Sequence, residues 1–148
     1  MRSVTSIKQS DIQEKWYLID ARGARIGKLA SVAAQLLQGK NDVMKRDYHK
    51  PMTKVIIINA KEIDFTDKRG LTKFYKSYSG FPGGLRYVSL RDLNKKHPAK
   101  PIESAIKGML PRTKRGDMML VNAKIYADNM HKHEAQQPET IDLQSFKI

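Results

Sequence analysis

The sequence contains no cysteine. That removes disulfide cross-links and thiolate metal ligands from consideration, and it leaves a reducing cytosol compatible without fixing the compartment. Long apolar runs are also missing. The longest aliphatic stretch is Val55, Ile56, Ile57 and Ile58, far short of the roughly 18 residues needed to span a bilayer. No apolar signal core opens the chain, and Asp11 and Glu14 run against a transit peptide. There is no internal repeat and no low-complexity tract. With 148 residues the expectation is one domain, able to bury roughly 70% of its extended-state surface. The polar, aperiodic residues 1–14 read as an N-terminal arm. Residues 15–148 then read as a single domain with a polar tail from Asp128 onward.

What the chain has little of, locally, is negative charge. Residues 68–115 hold thirteen Lys/Arg and only two acids, Asp92 and Glu103, a net +11 out of +13 for the whole chain. The rest of the chain is close to balance, with fifteen basic and thirteen acidic side chains. A solvated face normally mixes signs, so a block of one sign points to a polyanionic partner. The same block contains Phe74, Tyr75, Tyr78, Phe81, Tyr87 and the turn Ser79-Gly80-Phe81-Pro82-Gly83-Gly84. Aromatics and turn residues mark a folded surface rather than a charged tail.

Hydrophobic patterning supplies the scaffold. Residues 16–20 (Trp-Tyr-Leu-Ile-Asp) read as a strand buried on both faces. Ile26, Leu29, Ala30, Ala33, Leu36 and Leu37 recur at helical spacing, and Gly39 is a fitting stop. Residues 55–60 form a second buried strand, so a strand–helix–strand unit with parallel strands and a right-handed crossover is expected. Residues 72–78 read as an edge strand. Ser89 and Asp92 predict a capped short helix over residues 90–96. Ile102, Ala105, Ile106, Met109 and Leu110 predict another helix, with Pro101 at its first position and Pro111 after its end. Residues 123–127 are the last strand candidate.

Few residues suggest catalysis. Gly23, Gly27 and Lys28 evoke a phosphate-binding loop, but only three residues separate the glycines and Leu29 stands where magnesium coordination needs Ser or Thr. A milder role remains: Arg22, Arg25 and Lys28 around a helix N-terminus can grip a backbone phosphate. Equally, the two glycines can serve a tight turn and close helix–sheet packing. His131 and His133 lack further metal ligands nearby, which favours a structural or RNA-facing role. No cofactor and no small-molecule substrate is expected. The basic block carries the functional reading. Lys68, Arg69, Lys73 and Lys76 precede the glycine turn, Arg86 and Arg91 follow it, and Arg112, Lys114 and Arg115 follow Pro111. These neutralise phosphates, while a glycine turn lets a sugar-phosphate chain approach the backbone. Tyr75, Tyr78 and Phe81 offer rings to unpaired bases, although core packing accounts equally well for Tyr75 and Tyr78.

Ordered motifs inside this pattern carry a family resemblance over residues 16–143. Trp16-Tyr17 with Asp20-Ala21, Gly27-Lys28-Leu29-Ala30, Asn59-Ala60, the octapeptide from Tyr78 to Leu85 (Tyr-Ser-Gly-Phe-Pro-Gly-Gly-Leu), the one from Ala105 to Arg112 (Ala-Ile-Lys-Gly-Met-Leu-Pro-Arg), the tetrapeptide from Lys124 to Ala127, and His131-x-His133-x-Ala135-Gln136-x-Pro138 occur in that order. The sequence resembles the universal large-subunit ribosomal protein thirteen in its bacterial form. The resemblance implies a three-layer α/β/α single domain around a small, mostly parallel sheet, with extended basic loops. It also implies a structural, non-enzymatic role in the cytoplasmic ribosome. Expected partners are large-subunit (23S-type) rRNA, bound early in assembly, and neighbouring large-subunit proteins, with no membrane partner. RNA or neighbouring proteins would then face Ser79, Gly80, Phe81, Gly83, Gly84, Arg86, Lys107, Arg112, Lys114, Arg115, His131 and His133. Two departures stand out: the loop before Val55 is short and without acids, and Lys114-Arg115-Gly116-Asp117 puts the charge on the other side of the glycine. A nucleotide-binding enzyme on the same scaffold is supported only by analogy, and a regulatory role on messenger RNA is a third reading.

Overall fold

Strands β1 (Lys15–Asp20) and β2 (Thr53–Ile58) lie parallel, linked through helix α1 (Ile26–Leu37), as the strand–helix–strand pattern predicts. The computed structural model describes residues 12–43, 48–65 and 72–143. Two short strands extend the sheet: β5 (Ala123–Ile125) pairs parallel with β2, and β6 (Glu139–Ile141) pairs parallel with β1, giving the order β5-β2-β1-β6. A separate antiparallel ribbon consists of β3 (Phe74–Tyr78) and β4 (Leu85–Ser89). Helices α2 (Leu90–Lys96), α3 (Ala99–Met109) and α4 (Lys114–Val121) follow it. The architecture is α/β, one domain on a parallel sheet.

Alternation along the strands decides where the core sits. Tyr17 and Ile19 of β1 share a face with Val55 and Ile57 of β2. That face packs with Leu29, Ala33, Leu36 and Leu37 of α1 and with Ile102 and Ile106 of α3. Burying Leu29, Leu36 and Leu37 stabilises the fold by roughly 1.5–3 kcal/mol each. Val32 and Ala34 are buried too, beyond the predicted stripe, because α1 also packs against α3. Gly39 ends α1 at φ 66, with its N–H donating to Leu36 O (2.8 Å) and Lys40 N–H donating to Gln35 O (3.1 Å). This double bond is the Schellman stop that the glycine suggests.

The expectation for β1 needs correction: only Ile19 is fully buried, and Trp16, Tyr17 and Leu18 are partly exposed. Beside Trp16 lie His133 and, next to that, Tyr126. The Trp16 and His133 ring centres lie 4.9 Å apart, and Lys54 Nζ sits 4.5 Å from the Trp16 ring. The strand ends are tied by Asp20, whose Oδ1 accepts from Asn59 Nδ2 (2.8 Å) and Arg22 N–H (2.9 Å). Asn59 itself takes the left-handed conformation, φ 58, which asparagine tolerates better than most residues.

Five boundaries also differ from expectation. Strand β2 covers Thr53–Ile58 rather than residues 55–60, because Asn59 turns left-handed and Ala60–Glu62 is a 3-10 turn. Helix α3 begins at Ala99, so Pro101 is its third residue; proline fits there because first-turn N–H groups have no helical partner. The last predicted strand is shorter, ending at Ile125. Residues 114–121 form a helix, and the tail beyond Asp128 contributes β6 and a 3-10 turn (Glu134–Gln136). The predicted N-terminal arm lies almost wholly outside the described residues.

Candidate nucleic-acid interface

Paired residues of an antiparallel ladder share a face. The register Phe74↔Ser89, Lys76↔Tyr87 and Tyr78↔Leu85 therefore puts Phe74, Lys76, Tyr78, Leu85 and Tyr87 on one side of the ribbon. That side is open to solvent: Phe74 is 58% exposed, Tyr78 64% and Tyr87 57%, with Phe81 at the tip 74% exposed. Lys76 Nζ lies 5.7 Å from the Tyr87 ring. The opposite side carries Tyr75 and Val88, both half-buried. Tyr75 lines a groove with Leu93, Lys100, Glu103, Ser104 and Lys107, and its buried hydroxyl has no hydrogen-bond partner among the described residues. Lys73 Nζ lies 5.2 Å from the same ring. Tyr75 thus packs inward, while Tyr78 and Phe81 point their rings outward.

The glycine turn closes this ribbon. Gly80 and Gly83 sit at φ 87 and φ 72, a region that side chains rarely adopt. Gly84 N–H donates to Phe81 O (2.9 Å), and Ser79 N–H donates to Gly84 O (3.4 Å). A Cβ on Gly84 would collide with the Ser79 hydroxyl and the Phe81 carbonyl. The tip is accordingly a fixed, exposed loop with phenylalanine at its apex.

The positive charge on and beside the ribbon is not internally neutralised. Among the described residues the ion pairs include Arg22–Glu62, Lys61–Asp128, Lys15–Asp42 and Lys54–Glu14. None involves Lys73, Lys76, Arg86, Arg91, Lys107, Arg112 or Lys114, all of which are exposed. Three adjoining grooves connect Lys73, Lys107 and Arg112. Arg25 and Lys73 line the first with Asp64, Ser104 and Gly108; Tyr75, Lys100, Glu103, Ser104 and Lys107 line the second; Lys107, Arg112 and Asp117 line the third. Ser104 and Lys107, on the outer side of α3, are shared between neighbours.

Other expected residues lie apart from this surface or only at its border. Arg22 is engaged by Glu62 at 2.7 Å. Arg25 and Lys28 flank the start of α1, which has no acid in its first turn and no side-chain cap, but the adjoining cleft also holds Asp20 and Asp142. Gly23 serves a tight turn at φ 62, whereas a Cβ on Gly27 would meet nothing within 4 Å, so close helix–sheet packing does not explain Gly27. Arg115 is half-buried in a crevice with Leu37, His49 and Thr53, away from Arg112 and Lys114. His133 packs on Trp16, and both His131 and His133 pack near Tyr126, their centroids 6.4 and 6.1 Å from its ring. Lys68 and Arg69 lie outside the described residues. Phe74, Tyr87 and Lys100 join the surface without having been singled out as contacts; the period-two alternation Phe74-Lys76-Tyr78 opposite Leu85-Tyr87-Ser89 is the signal that finds the first two. No helix among the described residues is long and apolar enough to cross a membrane.

The class these features define is an α/β domain on a parallel sheet that presents exposed cations on and beside an aromatic hairpin. The chain belongs to the ribosomal protein L13 family, whose model matches residues 14–132. It is 42% identical over 136 residues to the large ribosomal subunit protein uL13 of Alkaliphilus oremlandii, covering 92% of this chain and 95% of that one. The protein of the same name from Mycoplasmopsis pulmonis is 41% identical over 146 residues, covering 97% of this chain and 99% of its own. That of Halorhodospira halophila is 38% identical over 138 residues, covering 93% and 97% respectively.

Proposed function

We infer that the chain is a structural constituent of the large ribosomal subunit that binds 23S-type rRNA and supports early assembly of the subunit in the cytoplasm. One observation carries the reading: exposed cations from Lys73 to Lys114 lie on and beside a hairpin with exposed rings and have no ion-paired acid among the described residues. Self-repulsion of this kind is relieved by a phosphate chain. Arg25, Lys28 and the N-terminus of α1 form its border, and neighbouring large-subunit proteins meet the remaining faces. Charge alone does not distinguish one phosphate chain from another, so a secondary role on messenger RNA belongs to the same reading.

The test is affinity for large-subunit rRNA fragments as a function of salt. Seven exposed cations predict a log–log slope of about −5 to −6, from about −0.7 to −0.9 per phosphate neutralised. Replacing Arg112 and Lys114 with Gln should make the slope shallower by one to two units with the fold intact. Replacing Arg115 should act on stability instead, because its Nε is buried. A flat slope, or failure to co-sediment with large subunits at moderate salt, would sink the proposal.

A further inference from the structure

The outward side of the β3–β4 ribbon exposes Phe74, Tyr78, Leu85 and Tyr87 together on one face. Phe74, Tyr87 and Tyr78 alternate across the two strands, Tyr87 lying diagonally between the other two. Diagonal neighbours on such a face are about 7–8 Å apart at Cα, within reach of consecutive flat groups laid along the ribbon. Phe81 extends the line to the tip, and Lys76 stands inside it, opposite Tyr87. Residues 72–89 contain no acid; Lys76 shares the outward side with the rings, whereas Arg86 lies on the Tyr75 side and Lys73 over the Tyr75 ring. An apolar protein partner would match the rings but leave Lys76 facing a desolvated surface. A paired RNA helix would match Lys76 but offers its bases only edge-on, so the rings would stay wet. Unpaired nucleotides match both, since each brings one phosphate and one flat face.

We propose that this side of the hairpin is a stacking platform for unpaired bases, with Phe74, Tyr78 and Tyr87 as the rings and Lys76 gripping a flanking phosphate. The assignment rests on the RNA-binding reading above and narrows its ligand to single-stranded or looped RNA at this position. It also moves the stacking role away from Tyr75, which faces the body of the protein. Glycines at the turn hold the tip in shape, and Tyr75 and Val88 anchor the inner side, so the platform is formed before RNA arrives.

The experiment uses the full chain with three probes: single-stranded oligouridine, single-stranded oligoadenosine and a fully paired RNA duplex of equal length. Phe74→Leu, Tyr78→Leu and Tyr87→Leu should each weaken single-strand binding by roughly 5-fold or more, the loss expected for one stacked base. Duplex affinity and the salt slope should not change, and Tyr78→Phe and Tyr87→Phe should bind like the parent. Lys76→Gln should instead reduce the salt slope. If the leucine variants bind single strands like the parent while the slope stays steep, the platform is refuted and the RNA-binding reading survives. If all affinity is salt-independent, both fail. Should the leucine variants bind RNA normally yet fail to enter large subunits, the face docks a protein and the platform is likewise refuted. A 2-aminopurine-substituted single strand supplies a measurement on the unaltered chain: stacking on the rings quenches its fluorescence on binding, and unchanged emission at saturation overturns the proposal.

Discussion

Two glycines separate structural need from its absence. A Cβ built on Gly116 would overlap the carbonyl oxygen of Pro111, whereas one on Gly108 would meet nothing within 4 Å. Gly116 is buried within the first turn of α4, where the chain doubles back after Pro111. Gly116→Ala therefore has to push a backbone carbonyl, and overpacking of that kind costs about 1–3 kcal/mol. Gly108 lies inside α3 and is exposed, so Gly108→Ala should gain about 0.5–1 kcal/mol from reduced backbone entropy in the unfolded chain. Urea denaturation of the two variants checks this, and equal shifts would contradict it. The departure at residues 114–117 thus has a physical content: the glycine is required by Pro111, and the two basic residues before it go to different places. Lys114 reaches solvent and Arg115 turns into the crevice beside His49.

Elements were legible in proportion to how much they rely on their own burial. Helix α1 and strand β2 are visible because a contiguous apolar face needs no neighbour to announce it. Helix α2 is visible through its cap: Ser89 Oγ accepts from Asp92 N–H at 3.1 Å, as the Ser-x-x-Asp spacing predicts. Strand β4 (Leu-Arg-Tyr-Val-Ser) is not, because its Leu85 and Tyr87 remain exposed and its stability comes from pairing with β3. Helix α4 begins with Lys-Arg-Gly-Asp and buries only Gly116 and Met119, so its sequence reads as a charged loop. Strand β6 is three residues long and exists because β1 offers it an edge. The basic surface was legible as charge, but the inward turn of Tyr75 and Arg115 depends on register and on packing that no spacing rule contains. The cap of α2 is the point where the ribbon is joined to the helical layer, with Leu90 N–H donating to Lys73 O at 3.0 Å. Ser89→Ala should therefore cost about 1 kcal/mol and raise amide exchange first in α2 and in the adjoining end of β4. Exchange rising uniformly across the chain would argue against a local cap.

At the scale of the whole molecule, the parallel sheet and the basic surface pull against each other. The sheet and α1 hold the apolar residues that stabilise the chain, and residues 68–115 hold +11 of its +13 charge. With no nucleic acid present, those charges repel across distances comparable to the Debye length, about 10 Å at 0.1 M salt. The ion pairs Arg22–Glu62 and Lys61–Asp128 are exposed and each contributes at most about 1 kcal/mol, so screening them loses little. Screening the repulsion gains more. Raising sodium chloride from about 0.05 to 0.3 M should therefore raise the thermal midpoint of the free chain while it weakens RNA binding. The two responses have opposite sign because the same cations are a burden in the free protein and the grip in the complex. Thermal melts and RNA titrations in one salt series measure both. A midpoint that falls with salt would mean that the block is neutralised from within, and the case for a polyanionic partner would then lose its electrostatic basis.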